Sequence, residues 1–372
     1  MSLRRADGFR RYALAVQYHG SSFLGFSHHG NQEDSVLPDG TDLRGYRSVE
    51  GRIREALGSI FSGEMWENIQ VSSRTDRGVH ALKNTFHVDI QGDTETEQHR
   101  VLKKLRKGLN HDLARQTTSW SPRQSPSRSR RNSKRSHKSA FSMFDEDDWR
   151  RHSVSDELRI LTAKPAPDFM DNPFSLQDPS QPTQVDWNAR FSATQRTYIY
   201  RILSFDGTDG EWGVPFEWDR SWRIRGKGYP LNVEAMQQAA HVLEGTLDFS
   251  SFRGANCQRR SPIVRMESIQ VHSCPYGPAA LWGTNHLGLL NLGSSLSNSS
   301  CPQLVTVSIV GSSFLYRQVR NMVGCLVEVG RGKLQVGDVE KLLHARDRRL
   351  APGMAPAHGL FLVDVQHGNF EI

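Results

Sequence analysis

The stretch VSSRTDRGVHALKNTFHVDI, residues 71–90, contains a charged loop followed by a strand-like alternation of apolar side chains. Every second residue over 86–90 is apolar, which is typical of a half-buried β-strand. The loop before this strand carries Asp76 among cations, and Gly78 allows the tight backbone geometry of a turn. A lone aspartate in a loop often does no more than cap a turn. The stretch therefore predicts a loop between two strands and leaves the role of Asp76 open.

Segments on both sides of this loop alternate between strand and helix patterns. Apolar residues recur with the spacing of strands or helices. The predicted strands are 12–18, 69–71, 86–90, 197–203, 263–271, 304–310 and 360–365. The predicted helices are 49–60, with Ser48 as its N-cap, then 101–109, 233–243 and 315–329. Two successive β-α-β-β-type halves predict an α+β fold, with two ferredoxin-like halves whose mostly antiparallel sheets meet at a central cleft.

Composition divides the chain into two folded halves, 1–113 and 187–372, and the first half contains the Asp76 loop. Residues 114–150 are rich in Ser, Arg and Lys, so they cannot bury enough apolar surface to offset the entropy of ordering. We predict a disordered insertion there, which could be an RNA-tethering arm or simply a tolerated loop. Residues 151–186 are predicted to form a connector with a Pro-rich insertion, and 288–300 a flexible loop.

Charge and cysteine content restrict the class of protein. The 372 residues carry a formal net charge of +7, which favours a polyanionic partner, with nucleic acid as the first candidate. The four cysteines have no paired spacing, which argues against a zinc site and a disulfide framework.

No apolar run is long enough to cross a bilayer, so no membrane association is expected. The basic N-terminus lacks the apolar core of a secretory signal. We expect an intracellular protein, with the mitochondrion ahead of the cytoplasm or nucleus.

The predicted helix 315–329 carries a second group of cations. Arg317 and Arg320 lie on one stripe, beside a separate apolar stripe. A solvent-facing stripe has this spacing, and so does a stripe that faces a site. If Arg320 meets Asp76, the guanidinium would hold the carboxylate ionised. That state suits a nucleophile, whereas a general acid must keep its proton at neutral pH.

A third cationic element surrounds the predicted strand 197–203. Arg190, Arg196 and Arg201 flank Tyr198 and Tyr200. Basic residues interleaved with aromatic ones suit contact with phosphates together with stacking on bases. Core tyrosines with exposed arginines would produce the same pattern. The pattern alone does not separate these two interpretations.

Six motifs in a fixed order resemble the tRNA pseudouridine synthase A (TruA) family, over nearly the whole chain outside the two low-complexity segments. They are YHGSSFLGF (18–26), SSRTDRGVHA (72–81), WNARFSATQRTYIYRI (187–202), GTLDFSSFRGANCQRRSP (245–262), FLYRQVRNMVGCLVEVGRGKL (314–334) and APAHGLFLVDV (355–365). The opening SSRTD and the ending APAHGLFL most resemble the eukaryotic tRNA pseudouridine synthase-like branch.

The resemblance implies a role for four residues. Asp76 matches the catalytic aspartate, and Arg320 matches the arginine that pairs with it. Tyr198 matches the tyrosine that packs against the target base. Arg74 matches the loop arginine implicated in flipping the uridine and holding its phosphate. The sequence departs from the family pattern at Arg77, where a small alanine is usual, which adds bulk and charge beside the aspartate.

By resemblance, the protein is a tRNA pseudouridine synthase, an isomerase that converts specific uridines in tRNA to pseudouridine. After the base is flipped out of its stack, Asp76 would act as the nucleophile, on the ribose or on the base. The sequence leaves open an elimination route in which Asp76 is the base. The reaction involves no redox change and no group donor, so we expect no cofactor and no metal. The partner would be tRNA, and a homodimer is a further expectation. The alternative is a catalytically inactive RNA-binding protein of the same fold. A metal-dependent nuclease would need clustered carboxylates around Asp76, and the loop contains none.

Overall fold

The computed structural model describes residues 6, 8–27, 48–61, 65–92, 95–118, 157–172, 183–205, 217–226, 230–276 and 302–372. Within these ranges the strands are β1 Phe9–Tyr18, β2 Trp66–Val71, β3 His80–Gln91, β4 Leu158–Pro165, β5 Phe169–Asp171, β6 Gln184–Asp186, β7 Gln195–Phe205, β8 Trp222–Arg225, β9 Gly245–Asp248, β10 Ile263–Pro275, β11 Gln303–Gly311 and β12 Leu360–Gln366. The helices are α1 Val49–Ile60, α2 Glu95–Lys103, α3 Leu109–Thr118, α4 Val233–Val242, α5 Gln318–Gly330 and α6 Val336–Ala345, and a π-helical turn, Lys104–Gly108, joins α2 to α3.

Ten of the strands form one mostly antiparallel sheet in the order β4-β1-β3-β12-β7-β11-β10-β9, with β2 added to β3 and β8 added to β7. Strands β5 and β6 form a separate two-stranded sheet. The predicted α+β class and the mostly antiparallel pairing are confirmed. The two halves do not carry separate sheets, however. The last strand, β12, lies parallel to β3 and antiparallel to β7, and so it joins both halves in one sheet.

The helices cover the sheet in two groups. In the first half α1 packs against α3, and in the second half α4 packs against α5, α6 and β10. Helix α1 begins where the sequence predicts, because the Ser48 hydroxyl accepts a hydrogen bond from the Gly51 amide at 3.0 Å. Its residues Val49, Ile53 and Leu57 are fully buried. One hydrophobic core runs under both groups of helices, so the two halves are packed as a unit.

Helix α5 begins later than the sequence predicts. The predicted helix starts at 315, whereas the observed one starts at Gln318. Arg317 has a left-handed backbone conformation with φ of +61°, which a right-handed helix cannot contain. The residues before the helix form a turn in which the Leu315 amide donates to the Gln318 side chain at 2.8 Å. This turn aims the first residues of α5 toward the Asp76 loop.

Some predictions concern residues that lie outside the described ranges. Within the predicted insertion 114–150, the structure describes only residues 114–118, which belong to the end of α3. The predicted flexible loop 288–300 is not described at all. Among the described helices, none combines the length and the apolar character needed to cross a bilayer.

Candidate active site

The loop between β2 and β3 carries Asp76 and is held by buried hydroxyl and amide groups. Beside Asp76, the Thr75 hydroxyl lies 2.8 Å from the Tyr18 hydroxyl, which also accepts from the Asn84 amide at 3.2 Å. Asn84 donates a second hydrogen bond to the Ser73 carbonyl at 2.8 Å. Within the loop, the Val79 amide donates to the Asp76 carbonyl at 3.1 Å. The backbone on both sides of Asp76 is therefore fixed, which is the requirement for a preorganised site.

The loop after β1 packs directly on this segment at Gly20. A Cβ atom built on Gly20 would lie 2.1 Å from the Val79 carbonyl oxygen, which no side chain can tolerate. The Phe26 amide donates to the Thr75 carbonyl at 3.1 Å. The first motif, 18–26, thus acts as a support for the Asp76 loop, and the glycine is needed for the close approach.

Arg320 from the second half lies beside Asp76. Its Nη1 atom donates to Asp76 Oδ2 at 3.1 Å, across a separation of 244 residues. Its Nε atom donates to the Ala355 carbonyl at 2.8 Å, and the Ala355 amide donates back to the Arg320 carbonyl at 3.1 Å. Because Ala355 holds the guanidinium from the other side, Arg320 presents one fixed edge to the carboxylate.

A second guanidinium approaches the same carboxylate oxygen. Arg317 Nε lies 4.0 Å from Asp76 Oδ2. Among the described residues, both side-chain contacts of the Asp76 carboxylate fall on Oδ2, and Oδ1 receives none. The Asp76 side chain is 23% exposed and that of Arg320 is 11% exposed. One oxygen is thus held by cations, while the other has no side-chain partner among the described residues and the side chain as a whole is partly exposed.

The two tyrosines of β7 have different surroundings. The Tyr198 hydroxyl lies 2.8 Å from the Ser73 hydroxyl, and its ring packs edge-on against Phe314 with ring centroids 5.0 Å apart. Burial raises the pKa of Tyr198, and the nearby charge of Asp76 adds to that increase. The Tyr200 hydroxyl instead donates to the Pro356 carbonyl at 2.7 Å, and this side chain is fully buried. Tyr200 is a core residue, whereas Tyr198 belongs to the surroundings of Asp76.

Two of the three arginines around β7 are bound within the protein. Arg196 is buried and donates to the Ser72 carbonyl at 3.0 Å and the Ser312 carbonyl at 2.6 Å. It therefore ties the base of the Asp76 loop to the turn before α5. Arg201 forms an ion pair with Glu217. Both arginines have structural partners, so the alternation of arginine and tyrosine in this strand mainly reflects internal contacts.

Arg74 and Arg190 are exposed beside the Asp76 loop. Partial burial lowers the pKa of Arg190, and the charge of Arg74 lowers it further. The two guanidinium groups are therefore close enough to repel each other. Paired exposed cations of this kind suit a phosphate group, which would relieve the repulsion.

His80, directly after the Asp76 loop, is a residue whose role the sequence reasoning missed. Its Nδ1 atom accepts from the Gly20 amide at 3.1 Å, so the ring proton is on Nε2. Nε2 lies 2.9 Å from the Asp219 carbonyl and 3.1 Å from the His358 carbonyl. Burial lowers the pKa of His80 to about 4. A neutral histidine therefore links three distant segments at the end of the loop.

The hydroxyl groups of Tyr18, Ser73 and Thr75 were missed as well. The sequence pattern predicts only that Tyr18 lies in the strand 12–18, and the spacing does not show which partner its hydroxyl meets. The polar run before Asp76 in the SSRTD motif was the one available signal, because small hydroxyl residues often fix loops by local hydrogen bonds.

The arrangement provides one accessible carboxylate beside two cations. The guanidinium of Arg320 orients the carboxylate, which places its second oxygen to act as a nucleophile or a base. In the part of the chain that the structure describes, no three His, Cys, Asp or Glu side chains are grouped so that they could hold a metal ion.

Comparison with known proteins shows which proteins this chain is similar to. Residues 239–367 match a family model described as tRNA pseudouridine synthase. This match and the large, mostly antiparallel sheet support the class of pseudouridine synthases, which are isomerases.

Within that class, the chain is similar along its length to tRNA pseudouridine synthase A proteins. The protein of that name from Caulobacter vibrioides is 29% identical over 359 residues, covering 96% of this chain and 99% of the relative. The one from Gluconobacter oxydans is 28% identical over 358 residues, covering 96% and 90%. The one from a Ruegeria species is 28% identical over 357 residues, covering 95% of each. The chain is therefore similar over nearly its whole length to proteins named tRNA pseudouridine synthase A.

Proposed function

We propose that this protein isomerises specific uridines of tRNA to pseudouridine, with Asp76 as the nucleophile after the target base has been flipped out. The observation that carries the proposal is the difference between the contacts of the two Asp76 carboxylate oxygens. Arg320 contacts one oxygen at 3.1 Å, while the other oxygen has no partner among the described residues. A carboxylate arranged in this way is held in one orientation and keeps one oxygen for attack on a substrate.

In this proposal each step of the isomerisation uses groups of this chain. The bond between a uracil nitrogen and the ribose breaks, the base rotates, and a ring carbon forms the new bond to the ribose. Asp76 Oδ1 forms a bond to the ribose carbon as the bond from that carbon to the uracil nitrogen breaks. When the uracil ring carbon attacks the same ribose carbon, the bond to Oδ1 breaks and the carboxylate is restored. The ring carbon then loses its proton to solvent, and the freed nitrogen takes up a proton. Arg320 and Arg317 keep the aspartate in position and stabilise the charge when it returns.

Removing the base from its stack costs a few kcal/mol, which the enzyme must offset. We propose that Arg74, together with Arg190, binds a phosphate beside the target nucleotide. Tyr198 would contact the flipped base through the edge of its ring, because the side chain is only 6% exposed. The phosphate contacts and this edge contact together would offset the flipping cost.

The test is Asp76→Asn, measured by release of tritium from tRNA labelled at C5 of uracil. We expect release to fall below detection, because an amide does not act as the nucleophile. Binding of tRNA should stay within about threefold, since phosphate contacts supply most of the affinity. The matched control is Asp338→Asn, which changes a partly exposed aspartate that caps the start of α6, far from Asp76 in the sequence, and should leave release unchanged. Release at the wild-type rate by Asp76→Asn would refute the assignment.

A catalytically inactive RNA-binding protein of the same fold is the second candidate. The net charge of +7 is the observation that favours it, because basic proteins bind RNA without any chemistry. If the purified wild-type protein binds tRNA with strong salt dependence but releases no tritium from total tRNA, this second candidate replaces the first.

Two finer assignments belong to the same proposal. The SSRTD and APAHGLFL motifs lead us to propose the eukaryotic-type branch of the family. Mapping of pseudouridine across total RNA, with and without the protein, would identify the uridine that is modified and so test the branch. We also propose a homodimer by resemblance to the family, which light scattering on the purified protein would test.

A further inference from the structure

Tyr316 is an exposed aromatic residue next to the proposed active site. Its side chain is 41% exposed, although large aromatic rings usually contribute to a core. The Arg317 guanidinium lies over the ring, 4.7 Å from its centroid. The same guanidinium reaches toward Asp76, with its Nε atom 4.0 Å from the carboxylate. Tyr316 therefore directly precedes, in the sequence, the arginine whose side chain approaches the proposed nucleophile.

The position of this ring is fixed by the backbone on both sides. The Gly254 amide donates to the Tyr316 carbonyl at 2.7 Å, and a Cβ atom at 254 would lie 2.8 Å from the ring. Only a glycine lets these two segments pack so closely. The left-handed backbone of Arg317 is a strained conformation for a residue with a side chain, and such strain is concentrated at functional sites. A ring held in place before binding loses little entropy when a ligand stacks on it.

A second cation, Arg259 on the neighbouring loop, is hydrogen-bonded to the turn that carries the ring. Arg259 donates to the Ser313 hydroxyl at 2.8 Å, so it is tied to the same turn as Tyr316. Arg259 and Arg260 are both exposed. An exposed ring beside fixed guanidinium groups is the combination that single-stranded nucleic acid requires, because bases stack while phosphates pair with cations.

We propose that Tyr316 is a stacking platform for an unpaired RNA base next to the target uridine, with Arg259 as the contact for a neighbouring phosphate. The proposal rests on the proposed function, because it assumes that an RNA strand crosses the site at Asp76. It adds a subsite that selects substrates by the single-stranded character of the flanking nucleotide. Any of the four bases would stack there, since each has an aromatic face.

The first test compares Tyr316→Leu with Tyr316→Phe. Leucine keeps an apolar side chain beside Gly254 but has no aromatic face, whereas phenylalanine keeps the ring and loses only the hydroxyl. Binding of total tRNA is measured in the Asp76→Asn background, so that turnover does not interfere. We expect Tyr316→Leu to weaken binding by about 5- to 150-fold, which corresponds to the loss of one stacked base. Tyr316→Phe should restore the affinity. Phe169→Ala, in the separate two-stranded sheet, is a matched control that removes an exposed aromatic residue elsewhere.

Two further readouts separate stacking from a purely structural role. If the ring only holds Arg317 in place, Tyr316→Leu will slow single-turnover tritium release at saturating tRNA while leaving affinity intact, and that result overturns the proposal. If the ring stacks on a base, affinity falls while the saturated rate stays within about twofold. The salt dependence of binding should also be unchanged in Tyr316→Leu, whereas Arg259→Gln should lower its slope by about 0.7.

The outcomes distinguish this inference from the proposed function. Wild-type protein that releases no tritium contradicts the proposed function, and the binding comparison still decides whether Tyr316 stacks on RNA. Active wild-type protein whose Tyr316→Leu variant binds tRNA normally contradicts the stacking platform alone. An unchanged salt slope in Arg259→Gln contradicts the phosphate contact.

Discussion

Two of the arginine–aspartate pairs in the molecule, Arg11–Asp89 and Arg320–Asp76, differ in how completely the carboxylate is bound. In the first, Arg11 Nε lies 2.6 Å from Asp89 Oδ1 and Arg11 Nη2 lies 2.7 Å from Oδ2. Both side chains are almost fully buried. In the second, Arg320 contacts a single oxygen of Asp76, and the aspartate is 23% exposed. The same two residue types therefore make a closed pair in one place and an open pair in the other.

The closed pair is saturated with hydrogen bonds. Arg11 also donates to the Trp187 carbonyl, and the Asn68 amide donates to Asp89 Oδ2 at 2.9 Å. A buried charge needs such partners, because the cost of removing it from water is otherwise not offset. Asp76 lies nearer to solvent and can keep one oxygen without a partner. The difference indicates that the first pair holds the structure together and that the second is available for chemistry.

The largest effect expected from this comparison is on stability. Asp89→Asn leaves the Arg11 charge buried without a counter-charge, so we expect the free energy of unfolding to fall by about 3–5 kcal/mol. Asp76→Asn should change it by less than about 1 kcal/mol, because that pair is partly exposed. Urea denaturation followed by circular dichroism measures both. Equal losses in the two variants would mean that the Asp76 pair is also structural.

A second prediction uses pH to test the support of the Asp76 loop. The pKa of His80 is about 4 in the folded protein and about 6.5 in an unfolded chain. Above pH 6.5 the folded state keeps the full stabilisation. As the pH falls from about 6.5 to about 4, the unfolded chain takes up a proton that the folded protein does not. Stability should therefore fall across this range, by on the order of 3 kcal/mol.

The matched variant for this measurement is His80→Gln, which does not titrate. The free energy of unfolding is measured from pH 7 to pH 4 for both proteins, and their difference removes the contribution of the carboxylates. We expect a flatter profile in His80→Gln. Parallel profiles would show that His80 is as accessible to protons in the folded state as in the unfolded chain.

The third prediction concerns the geometry of the open pair. Arg320→Lys keeps the positive charge but cannot contact Asp76 and the Ala355 carbonyl at the same time. We expect single-turnover tritium release to slow by about 100-fold, the effect of a small misplacement of a reacting group. Arg349→Lys, in an exposed pair with Asp347, is the control and should have no effect. A wild-type rate in Arg320→Lys would show that charge alone is sufficient.

The smallest effect is expected for the hydroxyl of Tyr198. Tyr198→Phe removes the hydrogen bond to Ser73 but keeps the ring, so the free energy of unfolding should fall by about 1 kcal/mol. Tyr200→Phe removes a bond to the Pro356 carbonyl and should cost about as much. Tritium release should respond only to Tyr198→Phe, because only Ser73 belongs to the Asp76 loop. A response to Tyr200→Phe alone would reverse the assignment of the two tyrosines.

Sequence by itself determined the features that depend on neighbouring residues. The start of α1 was correct, because Ser48 caps the helix through a residue only three positions away. The central strands were predicted from apolar residues at every second position. The α+β class was predicted from the order of these strands and the helices along the chain. The position of Asp76 in a loop between two strands was predicted for the same reason. In each case the signal and its structural consequence lie within a few residues of each other.

Tertiary structure decided how distant parts of the chain meet. Only the folded chain shows that β12 joins the two halves in one sheet and that Arg320 reaches Asp76 across 244 residues. It also separates Tyr198 from Tyr200, which share one face of one strand. Local periodicity cannot supply these facts, because side-chain contacts between distant segments depend on the packing of the entire core. A pattern shows which residues can face a site, and the tertiary contacts select the ones that do.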